Sequence, residues 1–174
     1  FSTAVGSGVF AIYRQNASLV YQLNNATQTY NGSTYSGGSG YVLSNGTLYN
    51  GDTLSQVSPS PVYGGTAQGA QNAGNYTITA SAANASGLGY SVSFQNGTLS
   101  IAQANLTITA TAQTKTYDGT TTVSNVSGYS TSGLVSGQTL NNVTLAYTDA
   151  NAGVANKTIS VSGATAGANT SLSN

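Results

Sequence analysis

The sequence contains no cysteine, histidine, methionine, tryptophan or glutamate, and charged residues make up 3% of its 174 positions. Soluble domains usually carry roughly 25%. Without cysteine there is no disulfide framework and no thiolate metal site. Without histidine or cysteine, zinc sites and Ser–His or Cys–His nucleophile pairs are excluded. The acids are Asp52, Asp118 and Asp149 alone. Calcium calls on about 6 to 8 oxygen ligands, several of them carboxylates. A glycosidase needs two carboxyl groups about 5 to 10 Å apart, and no stretch of sequence brings two together. The cations are Arg14, Lys115 and Lys157, too few to neutralise a phosphate backbone, so no nucleic-acid partner is expected. No apolar run approaches the ~18 residues of a membrane helix. No basic stretch followed by an apolar one marks a signal peptide, so the signal of a secreted form is expected outside this segment. The glycine-rich stretches "YSGGSGY" and "YGGTAQGAQ" lack the lysine and the strand–loop–helix setting of a phosphate cradle and read as hairpin loops. No catalytic residue, metal ligand or cofactor is expected; the chain reads as a non-enzyme.

What remains is hydroxyl, amide, glycine and tyrosine. There are 24 Ser, 25 Thr, 18 Asn, 22 Gly, 12 Tyr and 3 Phe, and 39% of residues are hydrophobic. Absent cysteine and methionine leave little to oxidise, which suits life outside the cell. Apolar residues alternate with hydroxyl residues, the period of a half-buried strand. Tyr76, Ile78 and Ala80 share one face; so do Tyr90, Val92 and Phe94; Leu99 and Ile101; Leu106, Ile108, Ala110 and Ala112; Val143, Leu145 and Tyr147; Ile159 and Val161. One wet face and one buried face is the habit of antiparallel sheets. Asn-Gly pairs begin at Asn31, Asn45, Asn50 and Asn96, with Asp-Gly at Asp118; such pairs favour tight turns with positive φ. Helix formers are scarce, and short strands at this spacing predict an all-β fold of sandwich type.

The chain also repeats itself. "TYNGST" from Thr29 returns as "TYDGTT" from Thr116, an offset of 87 that Leu19 and Leu106 share. "LYNGDTL" from Leu48 matches "LVSGQTL" from Leu134 at 86, and "NAG" recurs at Asn72 and Asn151. Two copies of about 87 fill the chain, each close in size to a small immunoglobulin-like sandwich of roughly 100 residues. The first copy closes with "GYSVSFQNGTLSIAQANL"; the second reaches Asn174 without such a segment. The opening "FSTAVGSGVFAIYRQNASL" resembles that closing segment. With Gly8 set on Gly97, Phe1 meets Tyr90, Val5 meets Phe94, Phe10 meets Leu99 and Ile12 meets Ile101. The expected organisation is therefore tandem immunoglobulin-like β-sandwiches. Residues 1–15 would form terminal strands completing a neighbouring copy, through Phe1, Thr3, Val5, Phe10 and Ile12. Residues 16–103 would be one sandwich, and 104–174 a second lacking its last strands. Residues 1–15 and the junction Ala102–Leu106 are the expected contacts between copies, since an uncovered sheet edge invites pairing.

The stretch "YGGTAQGAQNAGNYTITASAANASGLGYSVSFQNGTLSIAQANLTIT" resembles the MBG-type repeats of large bacterial surface adhesins. "LTITATAQTKTYDGTTT…LVSGQTL…NAGVANKTISVSG" resembles the YDG repeats of the filamentous-haemagglutinin-like group. The resemblance implies immunoglobulin-like domains in an exported fibrous adhesin or stalk, at the cell surface or in a secreted fibre, with adjacent copies of itself as partner. One departure is informative: Asn31 stands where the YDG pattern has Asp, matched here by Asp118, so charge is not needed for the turn. For Tyr117 the expectation is a buried ring whose hydroxyl bonds backbone. Adhesin domains can carry a Lys–Asn amide crosslink, for which Lys115 and Lys157 are the lysines available; the plainer reading makes both solvated edge charges that deter pairing.

Acceptor sequences for N-glycosylation begin at Asn16, Asn25, Asn31, Asn45, Asn75, Asn84, Asn96, Asn105, Asn125, Asn142, Asn156 and Asn169, 12 of the 18 asparagines. The Ser and Thr content alone would give about 5 of this motif. Two readings stand: a glycan coat that solubilises an uncharged surface, or a by-product of Asn turns among Thr- and Ser-rich strands. Asn31, Asn45 and Asn96 at turns are the foremost candidates. For the whole chain the first expectation is a structural repeat of a fibre or stalk that supports attachment or biofilm. The second is a module gripping host or matrix glycans, with Tyr13, Tyr35, Tyr41, Tyr49 or Tyr63 stacking on sugars.

Overall fold

A computed structural model describes residues 17–49, 51–57, 61–81 and 89–173. The fold is all-β. The strands are β1 (Ala17–Leu23), β2 (Ala26–Thr29), β3 (Tyr41–Asn45), β4 (Val62–Gly64), β5 (Gly74–Ser81), β6 (Tyr90–Gln95), β7 (Gly97–Ala102), β8 (Ala104–Ala110), β9 (Tyr129–Ser132), β10 (Thr144–Tyr147), β11 (Ile159–Ser162) and β12 (Thr170–Ser173). A single helical turn, α1 (Leu54–Val57), interrupts them. It has a local cause. Gln56 makes the return arm of a capping box: its Oε1 accepts from the Thr53 N–H at 2.7 Å and from the Thr53 hydroxyl at 2.8 Å, which satisfies the backbone donor at the helix start. Burying Val57 fully completes the turn.

The chain divides into two compact units. One runs to Ala26 and takes in Gly37–Gln68 and Thr77–Thr98; the other takes in Thr27–Ser36, Gly69–Tyr76 and Leu99–Asn174. Among the described residues the sheets have the orders β3-β1-β6, β12-β8-β9, β10-β11 and β2-β7-β5-β4. Buried and exposed residues alternate along the strands, in β8 as expected and in β1 as well. Leu19, Tyr21 and Leu23 of β1 are buried while Ser18 is exposed, and Ala104, Leu106 and Ile108 of β8 are buried between exposed Asn105, Thr107 and Thr109. Ala112 does not continue the pattern: β8 ends at Ala110 and Ala112 is exposed. In the first unit Leu19, Tyr21, Val57 and Tyr90 form a core flanked by Tyr41, Leu43, Val92 and Phe94. Tyr21, Tyr41 and Phe94 make an aromatic trio with centroids 5.3–5.8 Å apart, in the edge-on and tilted arrangements that ring quadrupoles favour.

Strand direction differs from the antiparallel expectation at two places. β1 pairs with β6 in parallel over Ala17↔Tyr90 to Gln22↔Gln95, and β8 pairs with β12 in parallel over Ala104↔Thr170 to Ser173↔Thr107. Alternation reports which face is buried and carries no information on direction. Each parallel partner lies far along the chain, as the crossover geometry of parallel pairs requires.

The 87-residue offset is also a backbone offset. β3 and β9 pair antiparallel with β1 and β8, and each is followed by a glycine of positive φ, Gly46 at 104° and Gly133 at 90°. A side chain at either would run into a carbonyl, that of Ser18 or of Asn105. Of the Asn-Gly and Asp-Gly pairs, Gly32, Gly46, Gly51 and Gly119 take positive φ as expected. Gly97 does not. It opens β7 directly after β6, and its glycine is required by space: a Cβ would sit 2.7 Å from the Asn24 carbonyl oxygen.

Candidate functional site

The Tyr-Asp-Gly stretch of the second unit is one of two places where a lysine meets an aspartate. Asp118 Oδ1 accepts the Thr120 N–H and hydroxyl, each at 2.9 Å, the side-chain-to-backbone bond two residues on that makes an Asx turn. Asn31 does the same to the Ser33 N–H at 2.9 Å, with Gly32 at φ 78° matching Gly119 at 74°. Amide and carboxylate build one turn, as the exchange of Asn for Asp leads one to expect.

Charge adds a clamp. Lys115 Nζ lies 2.7 Å from Asp118 Oδ1 and also donates to the carbonyls of Thr120 (2.9 Å) and Thr122 (3.0 Å). Its side chain is only 15% exposed and lies under the Tyr147 ring, 5.8 Å from the centroid. The reading of Lys115 as a solvated edge charge is therefore corrected: its long stem buries while every ammonium proton finds an acceptor. Its partner is a carboxylate and backbone, not an asparagine side chain, so no Lys–Asn pair is set for crosslinking there. A second clamp joins Lys157 Nζ to Asp149 Oδ1 at 2.6 Å, and the same oxygen accepts the Asn151 N–H at 2.9 Å. Asp118 is held down to about 2, first by the Lys115 bond, then by the Thr120 N–H and hydroxyl. Asp149 is likewise lowered, first by Lys157, then by the Asn151 N–H. Carboxylates held ionised are acceptors that tie turns.

Tyr117 is not the buried ring expected of it: it is 67% exposed. Tyr147 has that role instead, its hydroxyl donating to the Gln113 carbonyl at 3.1 Å. Both lysine clamps line one cleft of about 620 Å³, walled by Ala112–Lys115 and Tyr117 on one side and by Tyr147 and Asp149–Ala155 on the other.

A second recurrent device lies in the matching motifs at Leu48 and Leu134. The Asp52 N–H donates to the Tyr49 carbonyl, and the Gln138 N–H to that of Val135, each at 3.0 Å. Each turn is then tied to the start of the parallel strand. The Tyr90 hydroxyl donates to Asp52 Oδ2 at 2.9 Å while accepting the Tyr49 N–H at 2.8 Å. The Thr170 hydroxyl donates to Gln138 Oε1 at 2.8 Å. The motif spacing was visible, but the strands that complete each tie lie more than 30 residues away.

The acceptor asparagines are mostly on the surface. Asn25, Asn31, Asn45, Asn75, Asn96, Asn105, Asn125, Asn142 and Asn156 are exposed. Asn169 is half-buried; its Nδ2 donates to Asn72 Oδ1 at 2.8 Å and its Oδ1 accepts the Ala73 N–H at 2.7 Å. Asn16 and Asn84 lie outside the described residues, as do Phe1, Thr3, Val5, Phe10, Ile12 and Tyr13. Of the tyrosines expected to meet sugars, Tyr49 is exposed and Tyr35 and Tyr63 are half-buried. Tyr41 is corrected: it packs in the aromatic trio. The junction expected between copies is tied down, the Ala104 N–H donating to the Asn169 carbonyl at 3.0 Å and Gln103 Nε2 to that of Ala168 at 2.7 Å. No group of three or more acids gathers as a metal site among the described residues.

Comparison with known families finds two matches along the chain. The MBG domain (YGX type) model matches residues 11–100 and the YDG domain model matches residues 102–173. The chain belongs to the MBG family. No curated protein and no solved structure matches it. The exposed Tyr117, Asp118 and Gly119 of the MBG chain are the residues from which the YDG pattern takes its letters, and here they form the clamped turn.

Proposed function

We propose that this MBG chain is a structural repeat unit of an extracellular bacterial fibre or adhesin stalk, made of tandem immunoglobulin-like β-sandwiches and supporting surface attachment or biofilm. Domains of these families occur in surface adhesin-like proteins. The observation that carries the reading is the repeated pairing order β6-β1-β3 and β12-β8-β9, with a parallel pair in each. In a parallel pair, tension on the start of one strand and the end of the other slides the two past each other. All bonds of the register then bear load together instead of peeling in turn. A stalk needs that geometry. The tied turns and neutralised charges fit a part that holds its shape.

Tandem copies of the chain pulled end to end by single-molecule force spectroscopy test the proposal. A regular series of force peaks is expected, and extension without resolvable peaks would count against a stalk. Localisation at the cell surface is checked by labelling intact cells with antibody. A second reading, a glycan-binding module, is favoured by one feature: the exposed Tyr117 ring at the lip of the cleft, a flat apolar face of the kind on which sugars stack. Binding to immobilised glycans that disappears in Tyr117→Ala would turn the reading that way.

A further inference from the structure

The two antiparallel hairpins β4–β5 and β10–β11 correspond in register. Val62↔Ser81, Tyr63↔Ala80 and Gly64↔Thr79 match Thr144↔Ser162, Leu145↔Val161 and Ala146↔Ser160. Their surroundings differ. β5 has β7 on its other side, and β7 is followed by β2; among the described residues β11 has β10 alone. The difference shows in burial. Ile78 of β5 is fully buried, whereas its counterpart Ile159 is half-exposed. Tyr30, after β2, is half-buried, whereas Tyr117 is 67% exposed.

The backbone of β11 is poised for a neighbour. The Tyr147 N–H points away from β11, to the Thr121 carbonyl at 2.8 Å, while the Thr148 N–H donates to Thr158 at 3.0 Å. Tyr147↔Ile159 and Leu145↔Val161 are therefore the non-bonded pairs of the ladder, and the N–H and C=O groups of Ile159 and Val161 face the open edge. The cleft of about 620 Å³ runs between the Ala112–Tyr117 segment, which corresponds to β2, and the approach to β11.

We propose that this edge accepts residues 8–13 of a second copy of the chain as an added strand. "GVFAIY" at Gly8 repeats the pattern of "GTLSIA" at Gly97, with Phe10 for Leu99 and Ile12 for Ile101; Leu99 and Ile101 are 0% and 2% exposed in β7. The glycine is part of the fit. Gly97 lies where a Cβ would meet the carbonyls of Asn24 and Leu23, positions that correspond to Thr111 and Ala110. The donor is a second copy because β7 leads through Gln103 straight into β8, the first strand of the next domain. Residues 8–13 come before β1 in the sequence as β7 comes before β8. Main-chain bonds supply affinity and alternate pockets supply specificity, as in other strand additions.

This deepens the stalk reading by naming the contact between copies. It is tested by association alone, so its failure leaves the pulling experiment to judge the stalk. A full-length chain carrying Phe10→Asp and Ile12→Asp keeps its acceptor edge and loses its donor pattern. The unaltered chain is expected to grow in mass with concentration in sedimentation velocity, and the double variant to remain a single chain with an unchanged circular dichroism spectrum. A fluorescent peptide of residues 1–15 should bind the double variant saturably, and the same peptide with Phe10→Asp at least about tenfold more weakly, because a carboxylate would enter an apolar pocket. Absence of peptide binding overturns the proposal. Peptide binding with an unaltered chain that stays single at every concentration overturns it too, since the strand then closes on its own chain.

Discussion

Asp118 concentrates three donors on one oxygen, and the consequence is a pH dependence of known sign. Its folded pKa of about 2 lies below the ordinary 3.8. The clamp's contribution is therefore complete above pH 3.8 and is lost as the pH falls through about 2; Asp149, lowered in the same direction, follows it. Carboxyl-carbon NMR should give an Asp118 midpoint near 2, and Asp118→Asn should keep the Asx turn, as Asn31 does, while removing the acid transition. Lys115 is the costlier position. It is largely buried and bonds three acceptors besides the carboxylate, so Lys115→Met should lower stability to urea by about 1–3 kcal/mol, the range for bonds to a charged group. The fate of Tyr117 turns on the same physics: Lys115 lies under the Tyr147 ring, and the neighbouring tyrosine stays outside.

At the scale of the element, the glycines that close β3 and β9 separate two kinds of constraint. Gly133 combines φ 90° with a backbone carbonyl where a Cβ would go, while Gly137, at φ 84°, has nothing within 4 Å. Gly137→Ala should cost about 1–2 kcal/mol, the strain of a left-handed residue. Gly133→Ala should cost more by at least about 1 kcal/mol, because backbone must shift as well. Equilibrium unfolding in urea of the two variants checks the order; equal losses would mean that the contact with Asn105 relaxes freely. The helical turn α1 belongs to this scale too. Thr53 and Gln56 spell its capping box in plain sequence, but four residues are too few for a helical period to show.

For the whole molecule, the surface is amide and hydroxyl, and its acceptor asparagines are unequal. Exposed positions should be modified before engaged ones. Offered to an enzyme that glycosylates Asn-x-Ser/Thr, the folded chain should carry glycan at Asn31, Asn45 and Asn96 and be spared at Asn169, whose amide donates to Asn72; peptide mass mapping reads the result. Modification of Asn169 in folded protein would mean that its hydrogen bonds open readily. The two parallel pairs predict an inequality of strength as well: β1 and β6 match over six positions, β8 and β12 over four. Shared load over fewer bonds fails sooner, so force peaks of the second unit should be the lower.

The sequence by itself determined the all-β fold, the alternating buried faces of β5, β6, β7, β8, β10 and β11, the two families and the turn at Asp118, because these depend on residue types and on spacing along the chain. Burial has a period, turns have residue preferences, and the 87-residue offset can be counted. The tertiary structure alone decided that β1–β6 and β8–β12 run parallel, that Gly97 serves close approach and not a turn, that Lys115 and Lys157 each hold an aspartate, and that Tyr41 packs against the core while Tyr117 is surface. The reason is physical. Direction of pairing, room for a Cβ and the choice between burying one tyrosine or another are set by groups far apart along the chain, and they exist only once the sheets have brought those groups together.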